Sequence, residues 1–109
     1  MCEFKVLIKN GEVYDDVIYV KLEGETIVLK DVLGVRKTIS SAIIEEVDVQ
    51  SETLKLRRSN IIGKLLVFLS RYDELASKGT YSEEIEKLWE EIKGEGEAMV
   101  KKLWISTHK

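Results

Sequence analysis

"TLKLRRSNIIGKLLVFL", residues 53–69, holds the change of period that decides the fold. In its first residues Leu54 and Leu56 alternate with Thr53 and Lys55, the signature of a half-buried strand. After Arg58 the alternation stops. Ile61, Ile62, Leu65, Leu66 and Leu69 then recur at helical spacing, with Ser59 or Asn60 available as a cap. Everything upstream of this junction reads as short strands, and everything downstream reads as helix.

Upstream, "CEFKVLIK" (2–9) puts Cys2, Phe4, Val6 and Ile8 on one face and Glu3, Lys5 and Lys9 on the other, with Leu7 as the exception. Asn10-Gly11 follows, a strong hairpin signal because both residues tolerate positive φ. Further strands are expected at about 13–22, 26–30, 35–39, 43–49 and 53–56, separated by turns at Gly24 and Gly34. Five or six short strands with tight turns predict a small antiparallel barrel or meander. A sheet this small has two open edges unless it closes on itself or adds strands across a dimer.

Downstream, the first helix continues through Tyr72 and Leu75 and ends at Gly79. Thr80 with Glu83 three residues later predicts a capping box. Ile85, Leu88, Trp89 and Ile92 carry the apolar stripe onward, and Met99, Val100, Leu103 and Trp104 resume it. Gly94 and Gly96 between them predict a break, since a glycine costs about 1 kcal/mol in a helix interior. The domain reading is a β-barrel over 1–58 and a helical hairpin over 59–109, hence an α+β class. The apolar stripe must bury against the barrel, the hairpin partner or a second chain. We expect it to pack mostly within the hairpin and on the barrel, leaving some surface for a homodimer.

The chain of 109 residues is 44% hydrophobic and 34% charged, as expected of a globular protein with a highly charged surface. A net charge of −3 argues against a general nucleic-acid binder. One cysteine excludes an intrachain disulfide, and no signal-peptide plan or stretch of roughly 20 apolar residues is present. The expected location is cytoplasmic, with no membrane partner.

No catalytic signature emerges, and no enzymatic activity is expected. The one histidine, His108, sits next to the end and reads as a disordered tail residue. Asp15-Asp16, Glu45-Glu46, Glu83-Glu84 and Glu90-Glu91 are adjacent pairs. Adjacent residues do not face each other on a helix or a strand, so these read as solvated surface rather than carboxylate dyads. The basic residues Arg36, Lys37, Arg57 and Arg58 are the candidates for touching a phosphate backbone in an RNA-binding reading. Phe4, Tyr14 and Tyr19 give that reading only a thin aromatic platform. Trp89 and Trp104 lie on the helical stripe and read as core or interface. A third reading is a protein-interaction module acting through the helical hairpin.

Cys2 admits two readings. It shares a face with Phe4, Val6 and Ile8, and a buried free cysteine behaves as a small hydrophobe. Its position supports the other. Methionine aminopeptidase removes Met1 when the next residue is small, and the product carries an α-amine two bonds from the thiol-bearing carbon. Amine and thiolate chelate one metal in a five-membered ring, and the backbone amide nitrogen of Glu3 can join when deprotonated. Two such chains supply two nitrogens and two sulfurs, a donor set suited to Ni(II) or Cu(II). A single cysteine cannot fill a site, so this reading requires a two-fold dimer.

The Met1-Cys2 start, "DVIYV" (16–20), "LKDVLG" (29–34) and "IIEEVDVQSETLKL" (43–56) together resemble the CooT family. These are small proteins linked to nickel handling for carbon monoxide dehydrogenase, and many relatives are described as predicted RNA-binding proteins. The resemblance covers residues 1–57, with the Met-Cys start as its most specific element and the Asp31–Gly34 turn second. It implies an SH3-like barrel, a homodimer and a Ni(II) site built from Cys2 of both chains, the metal not being required for folding. The implied role is that of a metallochaperone, store or sensor with a metalloenzyme client. The helical half is outside the resemblance.

Overall fold

The computed structural model describes residues 3–9 and 11–108. Six strands, β1 (Phe4–Ile8), β2 (Val13–Glu23), β3 (Thr26–Asp31), β4 (Arg36–Ser40), β5 (Ala42–Asp48) and β6 (Thr53–Arg58), precede two helices, α1 (Asn60–Lys78) and α2 (Glu84–Thr107). The period change in the 53–69 stretch therefore marks the true boundary. Cys2 lies outside the described residues, and so does Asn10 of the first hairpin.

The strands form one sheet in the order β4-β3-β2-β1-β6-β5. The expected antiparallel barrel is corrected in two respects. First, β1 and β6 run parallel, Lys5 opposite Thr53 through Ile8 opposite Leu56, so the sheet is mixed. The β5–β6 hairpin brings β6 back in the direction of β1, and β1 takes the open edge of that hairpin. Second, the sheet does not close, and an SH3-like barrel is not what the strand ladders describe. Its edges β4 and β5 are consecutive in the chain, joined through Ser41 at φ 56. This corner is anchored by single bonds rather than a ladder. Ser41 N–H donates to the Glu25 carbonyl at 2.8 Å, and Ser59 N–H donates to the Ser41 carbonyl at 3.0 Å.

The sheet curls enough for all six strands to share one core. Val6, Ile8, Val17, Ile27, Leu29, Ile39, Ala42, Leu54 and Leu56 are buried together, with Phe4, Tyr14 and Val20 packed on their margin. Much of the curl comes from β2, whose first half pairs with β1 and whose second half pairs with β3. A bulge opposite Phe4 and Val6 separates the halves, with Asp16 at φ 57. Aspartate tolerates this left-handed conformation better than most residues.

The helices pair with each other more than with the sheet. Ile85, Leu88, Ile92, Glu95 and Gly96 of α2 are its partly covered positions, and beyond Gly96 every described residue of the helix is exposed. The expected burial of the stripe on a barrel is thus met mainly at the α1–α2 seam. The Cα radius of gyration is 17.1 Å. A compact chain of this length would give about 13 Å, so the hairpin stands away from the sheet. It meets the sheet at Gly63 of α1, where an added Cβ would lie 2.1 Å from Ser41 Oγ.

Both helix-end expectations need revision. Gly79, at φ 64, ends α1, and Thr80 N–H donates to the Leu75 carbonyl at 3.1 Å. Thr80 therefore belongs to the C-terminal cap of α1, and the Thr80–Glu83 capping box does not form. α2 starts at Glu84, whose N–H is 3.3 Å from the Ser82 hydroxyl. The predicted break at Gly94–Gly96 is absent and α2 runs unbroken to Thr107. Packing of Ile85, Leu88 and Ile92 against α1 holds the helix through the glycines, tertiary contact overriding local propensity.

Candidate functional site

The described chain begins at Glu3, directly after Cys2, at the end of the sheet where β1 enters. Lys5 N–H donates to the Glu52 carbonyl at 2.9 Å, and Phe4 lies opposite Val17. This end of β1 is therefore held from both sides, by β2 and by the turn before β6. The β2 bulge beside it accounts for Asp15 and Asp16. Lys5 Nζ is 3.9 Å from Asp15 Oδ1, and the Asp16 carbonyl accepts the Val32 N–H at 3.0 Å. Both carboxylates are exposed, which supports the surface reading over a dyad.

The Asp31–Gly34 turn is built by its own aspartate. Asp31 Oδ1 accepts the N–H groups of Leu33 and Val35, each at 2.9 Å. Gly34 takes φ 82 and donates its N–H to the Asp31 carbonyl at 2.9 Å. An Asx turn of this kind fixes the loop largely from within, and the Val32 N–H bond to the Asp16 carbonyl ties it to β2. It holds Leu33 at 85% exposure, flanked by exposed Val32 and Val35. Asp31 is thus committed to its own backbone. Periodicity alone did not disclose that the turn presents an apolar tip.

Among the described residues, no group of three or more His, Cys, Asp or Glu side chains could hold a metal ion. Glu45 is the extra residue of a bulge in β5, and Glu46 pairs with Lys55 at 3.8 Å. Glu84 lies 2.8 Å from Arg71 Nε without hydrogen-bond alignment, and Glu90 is 3.4 Å from Lys93. His108 is not a loose tail residue as expected. Its ring stacks on Trp104 at 4.5 Å, and its backbone N–H donates to the Trp104 carbonyl at 3.0 Å, capping α2.

The basic candidates are not brought into one track. Arg36 and Lys37 open β4, and Arg57 and Arg58 close β6. Arg36 is 3.1 Å from Glu23 Oε2. Arg58 is 3.3 Å from Glu12 Oε1 and donates to the Ser40 carbonyl at 3.2 Å, at the opposite end of β4 from Arg36. Two of the four charges are therefore partly neutralised within the chain. Of the aromatic candidates, Tyr19 is covered by Lys30 Nζ at 4.6 Å from its ring centroid. Tyr14 donates its hydroxyl to Glu12 at 3.0 Å, and that bond to the carboxylate holds its pKa above the usual phenol value.

Trp89 packs on Phe68 with ring centroids 5.7 Å apart, and Phe68 stacks on Tyr72 at 6.2 Å. These rings line an open groove of about 540 Å³ across both helices near their connecting loop. Among the described residues, no helix is long and apolar enough to cross a membrane.

Comparison with known proteins gives one family. A family model described as "CO dehydrogenase accessory protein CooT" matches residues 1–57. A crystal structure provisionally named as a CooT from Carboxydothermus hydrogenoformans is similar over 54% of this chain and 100% of that one, at 24% identity and a TM-score of 0.49. No curated protein matches. Helices α1 and α2 lie beyond the matched segment.

Proposed function

We propose a nickel-handling role for this chain, which belongs to the CO dehydrogenase accessory protein CooT family. The observation that carries the proposal is where the family match falls. It takes in Cys2, the only cysteine, and the described residues offer no other metal-binding group. An accessory protein of a metal enzyme treats the metal as cargo, so the site must bind and also release. A thiolate is a strong donor for Ni(II), and a terminal amine beside it adds a second donor within one ring. Pooling these donors from Cys2 of two copies gives four positions without any other side chain, and the Glu3 amide is available as a further ligand. The protein then acts as a homodimeric chaperone, store or sensor without chemistry of its own, and its client is a metalloenzyme.

The test is a Ni(II) titration of untagged protein with Met1 removed. We expect one nickel per two chains, accompanied by thiolate-to-metal charge-transfer absorption. Affinity should rise with pH until thiol and amine have both lost their protons. Cys2→Ser should abolish binding and leave the circular dichroism unchanged. Stoichiometric nickel binding by the serine variant would overturn the proposal, and so would its failure to fold, since Cys2 would then be a packing residue. A salt-sensitive RNA gel shift lost on changing Arg57 and Arg58 would favour the RNA-binding reading instead.

A further inference from the structure

The groove at the loop end of the hairpin sets aromatic faces beside carboxylates. Phe68 and Tyr72 of α1 and Trp89 of α2 line it, with Tyr81 from the connecting segment. Its charged lining residues are Glu86 and Glu90, and no basic side chain lines it. Glu86 accepts the Tyr81 hydroxyl and meets no cation among the described residues. Glu90 meets Lys93 at 3.4 Å, an exposed contact of little strength. Arg71, beside Tyr72 in sequence, is taken up by Glu74 and Glu84.

We propose that this groove is a docking site for an arginine-bearing segment of a partner protein, the guanidinium lying among the rings and facing Glu86. Neither the groove nor this occupant depends on the metal reading. Charge complementarity selects the occupant. The negative face of an aromatic ring attracts a cation, most strongly for tryptophan. A wholly apolar partner would strip water from Glu86 and Glu90 without replacing it, and an acidic partner or a nucleic acid would be repelled. A guanidinium answers both features of the groove. Its plane stacks on ring faces, and its fork donates paired N–H bonds to a carboxylate. The open shape selects a protein over a small cation. Tyr81 is 70% exposed and Tyr72 55%, so the walls cover one side of an occupant and a partner's own body covers the other. The position suits a second protein as well. Leu75 of the groove lies about 18 Å along α1 from Gly63, where the hairpin meets the sheet. A partner can therefore fill the groove and leave the sheet half uncovered.

The experiment selects peptides of about twelve residues from a random phage-displayed library on the full chain, then measures the best one, made synthetically, by calorimetry. The enriched peptides should carry an arginine flanked by apolar residues. Replacing that arginine by citrulline, which keeps its shape and loses its charge, should weaken binding about tenfold or more. Glu86→Gln should cost about as much, since it keeps an acceptor for Tyr81 and removes the charge. Tyr81→Ala should also weaken binding with helicity unchanged, because the residue is exposed and precedes α2. Cys2→Ser should bind the peptide as the native chain does, so a failed metal site and a failed groove give different results. A selection that yields no binder tighter than about 100 μM overturns the proposal. So does a best peptide without arginine, or one whose affinity is unmoved by Glu86→Gln or by Tyr81→Ala. Free arginine amide binding as tightly as the peptide would make the groove a small-molecule site and overturn the partner. A peptide that dissociates a dimer of the chain in sedimentation would give the groove to a second copy, with the same consequence.

Discussion

Replacing Gly63 by alanine tests how α1 is seated on the sheet. The added Cβ would lie 2.1 Å from Ser41 Oγ and 2.9 Å from Ser41 Cβ. Rotating the hydroxyl relieves the first contact but not the second. Carbon pairs sit comfortably at roughly 3.5–4.0 Å, so the helix must lift by about 1 Å or the corner must move. The corner is poorly placed to move. Ser41 sits at φ 56, its N–H and carbonyl are both bonded, and Ala42 beside it is fully buried. Overpacking of this kind costs about 1–3 kcal/mol, against which alanine recovers about 1 kcal/mol of helix propensity. With both Ser41 contacts under 3.0 Å the cost falls in the upper part of that range, about 2–3 kcal/mol, so the net expectation is a loss of about 1–2 kcal/mol, read as a lower urea midpoint with unchanged m. Ser41→Gly removes both clashing atoms and suits the positive φ. In that background Gly63→Ala should cost nothing or add up to about 1 kcal/mol. The reasoning fails if Gly63→Ala is as stable as the native chain. It fails equally if Ser41→Gly leaves the cost of the alanine unchanged.

Gly94→Ala gives the converse result. An added Cβ there meets nothing within 4 Å. The variant should gain about 1 kcal/mol and show slightly more helicity in the far ultraviolet, and a loss of stability would show that the site is not open. Acid should weaken the fold partly through Asp48, whose carboxyl is held below its usual value by the Ser51 N–H at 3.1 Å and then by the Ser51 hydroxyl. Such a group favours the native state above the ordinary carboxylate value near 4 and loses that preference as pH falls through its folded value. Asp48→Asn should therefore be less stable than native at about pH 7, with the gap closing towards about pH 3. Equal urea midpoint differences at both pH values would refute this.

The strand positions were legible because Val6, Ile8, Leu54 and Leu56 alternate cleanly and Gly24 and Gly34 punctuate them. What was not legible was how the strands assemble. Nothing in the alternation of residues 53–56 says that their neighbour is β1 in parallel rather than another hairpin arm. The corner at Ser41 was hidden because serine, unlike glycine, does not advertise a positive φ. The helix stripe was read correctly as apolar, yet its periodicity could not show that cover ends at Gly96 and leaves Met99, Val100, Leu103 and Trp104 exposed. Gly94 and Gly96 misled because propensity is local, whereas α1 holds that stretch of α2 from outside. Of the site itself, the sequence supplied Cys2 and the Asp31–Gly34 turn as family features. Only coordinates showed that Asp31 is occupied by its own backbone and that Leu33 is the residue turned outward.

The parallel β1–β6 ladder sets an order of events for the growing chain. The β2-β3-β4 meander and the β5–β6 hairpin each join neighbours in sequence and can form as soon as they are made. The partner of Lys5 is Thr53, so the outer edge of β1 stays bare until almost the whole sheet half has been synthesised. At about 5–20 residues per second that interval is roughly 3–10 s. During it, an open edge carrying Val6 and Ile8 is available to another chain in the same state. Closing this seam joins the two locally formed halves into one sheet. Its amide protons should therefore exchange whenever the two halves part, even with each half intact, while those inside either half need that half itself to open.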